Sequence, residues 1–150
     1  MPKNISEKTQ FHFTTIKDSK EKYAQFLVKE YGFLENVHFY GKVKRNQLLS
    51  MYNAMDCLLF PSKIETWGLP ISEAKAYNKP MFLANLPYAK EACGDYEKVS
   101  FFDENSAPEL AKLITEFVEG NHTFQGNTSP FDKSKDLHNW KEVFQYILTD

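Results

Sequence analysis

Short apolar runs alternate with helical stretches along nearly the whole chain. Five runs favour β-strands: FHFTT (11–15), VHFY (37–40), CLLF (57–60), MFLA (81–84) and VSFF (99–102). Strands that alternate with helices pair in parallel through right-handed crossovers, and helices then cover both faces of the sheet. The sequence therefore predicts an α/β fold, a three-layer α/β/α Rossmann-like domain with a mainly parallel sheet.

Caps and apolar spacing place the helices. Asp18 and Glu21 form a capping box for the first helix, which Gly32 ends. Asn46 and Ser106 are the expected caps of two later helices, and Gly120 ends the second of these. Three further helices are predicted at Pro70–Tyr77, around 88–92 and at 136–148. The apolar face of the first helix is expected to comprise Tyr23, Phe26, Leu27 and Tyr31.

The length of the chain indicates a single domain, and its charge argues against one class of partner. With 150 residues the chain has the size of one domain, and we assign 1–10 to an N-terminal tail and 11–150 to the domain. A net charge of −2 with scattered basic residues argues against a nucleic-acid partner.

Cysteine usage and hydropathy indicate the compartment. Cys57 reads as a buried thiol in an apolar run, whereas Cys93 lies in a polar stretch, which fits a reducing compartment. No stretch has the length and apolar character of a membrane span. We expect a cytoplasmic protein, or one peripheral to the inner face of the membrane, with at most peripheral membrane contact.

The stretch IETWGLPISEA (64–74) forms a turn between a strand and a helix. Pro70 suits the first position of a helix, and Gly68 lets the chain turn before it. The free amides at Gly68, Leu69 and Ile71 carry part of the positive helix dipole, so a phosphate could bind there.

Two carboxylates flank this turn. Glu73 is expected in the first helical turn, where it could accept two hydroxyls of a ribose diol, and Glu65 could bind sugar hydroxyls and oppose charge at an anomeric carbon. Simpler interpretations stay open. Glu73 could only complement the helix dipole, Glu65 could be a solvated loop residue, and Trp67 and Leu69 could fill the core beneath the turn.

The segments NVHFYGKV (36–43) and LLSMYNAMDCLLFPSKIETWGLPISEAKAYNKP (48–80), followed by Glu91 in YAKEACGD, resemble a known family. It is the C-terminal, nucleotide-sugar-binding half of the GT-B fold in family-4 type retaining glycosyltransferases. Glu65 and Glu73 match the E-x7-E motif of that family, and the resemblance extends from about residue 11 to the last helix.

The resemblance implies roles for the matching residues. Glu65 would be the catalytic residue at the donor sugar, Glu73 would bind the ribose hydroxyls, and Ser62 would line the sugar pocket. The substrate-binding set also includes the turn residues and the base-binding segment: Trp67, Gly68, Leu69, Pro70, Gly41, Lys42 and Val43.

The implied reaction is retaining transfer of a sugar from a UDP-, GDP- or dTDP-sugar to an acceptor hydroxyl, in polysaccharide or glycoconjugate synthesis. The resemblance implies no cofactor and no essential metal, and the lack of an Asp-x-Asp pair in the sequence is consistent with that. His12, His38, His122 and His138 have no metal-ligand spacing.

The chain departs from this pattern at its start. FHFTT aligns with the second strand of the family domain, so the first strand, its basic residues and the N-terminal acceptor domain are absent from the matched region. Lys42, Lys44 or Lys63 could replace the missing charge, although exposed lysines at a turn are ordinarily just solvated. We expect the chain to be inactive alone and to be a fragment, or to pair with the missing acceptor domain or with a second copy.

Two other hypotheses belong to different classes. A non-catalytic nucleotide-sugar-binding or assembly module is favoured by the absent N-terminal half. A phospho-acceptor receiver domain needs an aspartate at the end of a central strand, but Asp56 precedes its strand, so we set that hypothesis aside.

Overall fold

The fold alternates short strands and helices, and we describe it from a computed structural model for residues 3–14, 22–128 and 140–148. The strands are β1 (Phe11–Phe13), β2 (Val37–Phe39), β3 (Leu58–Phe60), β4 (Met81–Ala84) and β5 (Val99–Phe102). The helices are α1 (Lys3–Ser6), α2 (Lys22–Tyr31), α3 (Arg45–Ala54), α4 (Leu69–Ala76), α5 (Pro87–Cys93), α6 (Ala107–Val118) and α7 (Trp140–Leu148).

All strand pairs are parallel, but the five strands form two sheets. One sheet has the order β3-β4-β5, with Leu58 opposite Met81 and Met81 opposite Val99. The other consists of β1 and β2, with Phe11 opposite Val37. Within the described ranges no ladder joins β1 to β3.

Two apolar clusters lie on opposite faces of the three-stranded sheet. On one face Met81, Leu83 and Val99 pack with buried side chains of three helices, Tyr52 of α3, Ile71 and Ala74 of α4, and Ala89 and Cys93 of α5. On the other face Phe82 and Phe102 pack with Leu113 and Ile114 of α6. Helices therefore cover both faces of a parallel sheet, and the α/β prediction is confirmed.

Most element boundaries agree with the predictions to within two residues. The bounds of β4 and β5 are those predicted, and the Ser106 hydroxyl accepts the Glu109 amide as an N-cap of α6. The predicted Asn46 cap is wrong, because α3 already begins at Arg45 and the Asn46 side chain instead accepts the Gln47 amide at 2.9 Å. The predicted starts at Asp18 and at residue 136 lie outside the described residues.

The predicted apolar face of α2 is wrong for its three aromatic residues. Tyr23, Phe26 and Tyr31 are exposed, and Tyr23 has 71 % of its surface accessible. Leu27, the fourth predicted residue, is half-buried, and the helix turns Ala24 inward. A small residue on the inner face lets a helix approach its neighbours closely, whereas bulky aromatic side chains remain at the solvent side here.

The N-terminal ten residues contain a helix that the sequence analysis missed. Ile5 of α1 is buried. The Asn36 amide donates to the Ser6 carbonyl at 2.8 Å and to the Thr9 carbonyl at 3.1 Å. A side-chain amide that satisfies two backbone carbonyls fixes this segment beside the loop before β2.

Both thiols lie in the interior. Cys93 is fully buried, which corrects its placement in a polar stretch, and Cys57 is half-buried. Burial raises the pKa of Cys93 to about 11 and that of Cys57 to about 12. The two thiols therefore stay protonated at neutral pH.

No helix in the described ranges is long and apolar enough to cross a membrane.

Phe82 offers a direct test of the core. It is fully buried at the centre of the sheet, so Phe82→Ala should lower the free energy of unfolding by about 3 to 5 kcal/mol in a urea titration. Phe33→Ala makes the same chemical change at a residue that is 76 % exposed and should cost about 0.5 kcal/mol or less. Equal losses at the two positions would contradict the described core.

Alkaline titration tests the burial of the thiols. Because folding raises both thiol pKa values, the stabilisation is fully present below the pKa of about 8.5 for an unfolded cysteine and is lost as pH rises through about 11 to 12. The urea midpoint of the double variant Cys57→Ala/Cys93→Ala should therefore fall less between pH 8 and pH 11 than that of the unchanged chain. An equal fall would contradict thiol burial as a source of this pH dependence.

Candidate functional site

The turn between β3 and α4 is built around Gly68. This residue is the N-cap of α4 and has φ 71°, a left-handed conformation that favours glycine. The sequence analysis predicted that the Ile71 amide would be free for a ligand. This is wrong, because the amide donates to the Gly68 carbonyl at 2.9 Å. The amides of Gly68 and Leu69 have no hydrogen-bond acceptor within the described part of the chain. The start of α4 thus presents two free amides.

The turn is fixed to α5 from beneath. A Cβ placed on Gly68 would lie 3.1 Å from Ile71 Cδ1 and 3.6 Å from Tyr88 Cδ2, so only glycine fits without a shift of its neighbours. The Tyr88 hydroxyl also donates to the Ser62 carbonyl on the strand side of the turn. Both ends of the turn are therefore packed against one tyrosine.

The outer side of the turn is open to solvent. Trp67 and Leu69 are 60 % and 62 % exposed, and Ile64 is even more exposed. The interpretation that Trp67 and Leu69 fill the core is therefore wrong, because most of each residue's surface is exposed to solvent. Pro70 follows at the second position of α4 rather than the first.

Glu73 lies in the second turn of α4, one turn later than predicted, because the helix begins at Leu69. Its carboxylate forms an ion pair with the guanidinium of Arg45, the first residue of α3. Tyr52, in the last turn of the same helix, lies close enough to Glu73 for the carboxylate, after burial, to raise the pKa of the tyrosine hydroxyl. Glu73 is only 17 % exposed, so α3 holds it in one position.

The groups beside Glu73 keep their protons at neutral pH. The hydrogen bond and charge of Glu73 raise the pKa of Arg45, which keeps the guanidinium charged. Burial, followed by the nearby Glu73, raises the pKa of Tyr52 far above neutrality. The carboxylate is therefore paired with a cation and lies near a neutral hydroxyl over the whole physiological pH range.

Glu65 has different neighbours from Glu73. It is half-buried on the strand side of the turn, close enough to Tyr88 for its charge, after burial, to raise the pKa of the tyrosine hydroxyl. The two glutamates are thus placed on opposite sides of the turn, Glu65 by α5 and Glu73 by α3. This agrees with the separate roles that the sequence analysis gave them but does not test those roles.

The remaining predicted site residues divide into two groups. Gly41, Lys42 and Val43 lead directly into α3, so the ion pair of Arg45 with Glu73 ties this segment to α4. Ser62 forms the second group. Its hydroxyl makes a local hydrogen bond to the Ile64 carbonyl at 3.1 Å rather than a contact with α3 or α4.

Lysines near the turn differ in availability. Lys63 donates to Asn105 Oδ1 at 2.6 Å, whereas Lys42 is exposed. Lys63 is therefore engaged on the far side of the turn, towards the loop after β5. Of the two, Lys42 is the cation more available to an anion that approaches α3.

Three residues that define the geometry were not predicted as site residues: Arg45, Tyr52 and Tyr88. Tyr52 was assigned to the core face of its helix, and it does pack there, but its hydroxyl also reaches Glu73. The basic run KVKR (42–45) was the available signal for Arg45. Its pairing across 28 residues depends on tertiary structure, which sequence spacing does not encode.

Two clefts lie elsewhere on the described surface. One of about 380 Å³ is polar and includes Asn85, Lys90 and Glu109. Another of about 510 Å³ lies between α2 and β2 and includes Val28 and His38. Among the described residues no cluster of three His, Cys, Asp or Glu side chains could hold a metal ion.

The fold is that of a Rossmann-like α/β domain. The candidate site lies at the carboxyl end of a parallel strand, where such folds bind their ligands. Sequence comparison then assigns the family. Residues 3–141 match the family described as glycosyl transferases group 1, and the chain belongs to it.

Several curated proteins are similar to the chain. An uncharacterised 41.2 kDa protein in the cps region of Klebsiella pneumoniae is 27 % identical over 149 residues, which cover 94 % of this chain and 40 % of that protein. The serotype-specific mannosyltransferase WbdA of Escherichia coli is 25 % identical over 101 residues, 67 % of this chain and 12 % of that protein. The D-inositol 3-phosphate glycosyltransferase of Mycolicibacterium smegmatis is 29 % identical over 93 residues, 62 % of this chain and 21 % of that protein. The chain spans 40 % or less of the length of these relatives.

Two glycine substitutions separate strain from packing at the turn. Gly68→Ala and Gly120→Ala both place a Cβ at φ above +70°, which costs roughly 1 to 2 kcal/mol. Gly120 has no neighbour within 4 Å, whereas Gly68 is enclosed by Ile71, Ala92 and Tyr88. In urea titrations Gly68→Ala should therefore lose more stability than Gly120→Ala. Equal losses would show that the turn is not closely packed on α5.

Proposed function

We propose that the chain is the nucleotide-sugar-binding domain of a family-4 type retaining glycosyltransferase. In this proposal the diphosphate of the donor lies at the start of α4, and the nucleoside extends towards α3. The observation that carries the proposal is the position of Glu73. Its carboxylate is paired with Arg45 and lies four residues after Leu69, and the amides of Gly68 and Leu69 at the start of α4 are free. Family membership and the names of two relatives support glycosyl transfer.

The distances along α4 suit a nucleoside diphosphate. With a rise of 1.5 Å per residue, Glu73 lies roughly 6 Å along the helix axis from Leu69. A ribose whose diol contacts Glu73 can then direct its 5′-phosphate towards the Gly68 and Leu69 amides, where the helix dipole favours negative charge. Gly41, Lys42 and Val43 lie on the side of α3 and would contact the base.

Glu65 is the residue we propose to act at the donor sugar. It lies on the strand side of the turn, away from Glu73, so it would face the group attached beyond the diphosphate. A carboxylate there can accept hydroxyl groups of the sugar and stabilise positive charge that develops at the anomeric carbon. Ser62 would contribute to the sugar site only if its hydroxyl leaves the Ile64 carbonyl.

The whole reaction needs more than this chain. We propose that the acceptor binds to another domain, so that this chain binds a donor but does not transfer the sugar alone. The UDP-, GDP- and dTDP-sugars are the donor classes proposed, without a metal cofactor, and the proposed location is the cytoplasm or the inner membrane face. The relatives in the comparison are more than twice as long as the matched region, which supports an additional domain.

A second candidate is a non-catalytic nucleotide-sugar-binding or assembly module. The observation that favours it is the same difference in length, since only up to 40 % of each relative is represented. Both candidates predict nucleotide binding. Only the first predicts that Glu65→Gln lowers transfer when the chain is combined with an acceptor domain.

Calorimetric titration with UDP, GDP and dTDP tests the binding site. We expect one nucleotide to bind preferentially and Glu73→Ala to weaken it about tenfold or more, because a hydrogen bond to a carboxylate contributes roughly 1.5 to 3 kcal/mol. For UDP or GDP, the 2′-deoxy analogue should bind the unchanged chain about tenfold more weakly for the same reason. In Glu73→Ala the ribose and deoxyribose forms should bind alike.

Glu35→Ala is the matched control, since it removes an exposed carboxylate from a loop distant in sequence from the turn. It should leave the affinities unchanged. Equal weak binding of all three nucleotides, or an undiminished preference for ribose in Glu73→Ala, would contradict the proposed site.

A further inference from the structure

Arg45 covers the carboxylate that the proposed function assigns to the ribose diol. Two groups lie beside Glu73. Tyr52 is buried, so it lies on the side of Glu73 that faces the protein core. Arg45 is 64 % exposed and lies on the outer side. A ligand approaches from solvent, so it meets the guanidinium before it reaches Glu73. Binding of the diol therefore requires Arg45 to share the carboxylate or to move.

We propose that Arg45 is a specificity-determining residue, whose guanidinium passes from Glu73 to a phosphate of the incoming nucleotide. The inference rests on the proposed function. A guanidinium matches phosphate oxygens as well as it matches a carboxylate, and its long side chain is free to turn because most of it is exposed. The exchange replaces one charge-assisted pair with another, so a phosphorylated ligand gains access to Glu73 at little cost.

The exchange distinguishes phosphorylated ligands from neutral ones. A nucleoside would displace the guanidinium from Glu73 without offering it another anion, and so would lose an ion pair. A nucleoside diphosphate supplies that anion. Without Arg45 the uncompensated carboxylate of Glu73 would instead repel the diphosphate, because like charges at short range disfavour each other. Arg45 thus raises the preference for the diphosphate over the nucleoside.

The surroundings of Arg45 support this assignment. Lys42, three residues earlier, is exposed and adds positive charge on the same approach to α3. The hydrogen bond to Glu73 raises the pKa of Arg45, so the cation persists at neutral pH. Ile71 and Ala74, which flank Glu73 in α4, are fully buried in the core and anchor the helix when the guanidinium leaves. The carboxylate is therefore kept in position for the diol during the exchange.

The test compares two ligands in four proteins. Affinities of UDP and uridine, or of GDP and guanosine if GDP binds more tightly, are measured by calorimetry for the unchanged chain, Arg45→Ala, Arg45→Lys and Lys98→Ala. We expect Arg45→Ala to lower the ratio of diphosphate to nucleoside affinity by about tenfold or more. Arg45→Lys should restore part of that ratio, and Lys98→Ala, which removes an exposed cation elsewhere, should leave it unchanged.

The outcomes separate this inference from the proposed function. If UDP or GDP binds in a Glu73-dependent manner but Arg45→Ala weakens diphosphate and nucleoside equally, Arg45 only positions Glu73 and the specificity role is wrong. If Arg45→Ala changes neither affinity, the exchange does not occur. If neither nucleotide binds the unchanged chain, both the inference and the proposed function are overturned. Thermal unfolding of each variant establishes that the comparison is made on folded protein.

Discussion

The geometry of the site depends on the contact between α3 and α4 through Glu73. One helix places an exposed cation and a buried tyrosine beside a single carboxylate of the other. Because the carboxylate is mostly buried, it would be costly without the cation. Residues 41–43 closely precede α3, which begins at Arg45. The ion pair and the packing of Tyr52 against Ile71 and Ala74 thus fix α3 relative to α4.

Local chemistry explains how much of the fold could be predicted from sequence. The β4 and β5 runs are apolar on both faces, and both faces are covered by helices, so pattern and environment agree. The Ser106 cap likewise depends on neighbours only three residues away. By contrast, the rotation of α2 depends on which neighbours cover the helix, and a list of apolar residues does not specify that. Tyr23 and Phe26 are exposed although they fit the helical period.

The site shows the same division between local and long-range information. Gly68 was identified as the turn residue from its place before Pro70, and its backbone angle is the one that this position requires. The ion pair of Arg45 and the hydrogen bond of Tyr88 join residues far apart in sequence, and spacing carries no signal for such pairs. The exact start of α4 also mattered, since a shift of one residue moved Glu73 out of the first turn.

The five described strands form two sheets that are joined by side-chain packing. Phe11 of β1 packs against the cluster on the α6 side of the larger sheet, so the two sheets share an apolar core although no ladder joins them in the described ranges. A core can be shared through side chains while backbone pairing is interrupted. The α3–α4 contact lies on the other face, which explains how the site geometry is specified independently of the interruption.

The most direct measurement is a crystal structure of the chain soaked or grown with the nucleoside diphosphate that it binds. The account predicts ribose hydroxyls within hydrogen-bond distance of the Glu73 carboxylate and a phosphate at the Gly68 and Leu69 amides. A nucleotide bound in the cleft beside Asn85 and Lys90, or in the cleft between α2 and β2, with Glu73 free of ligand, would contradict it.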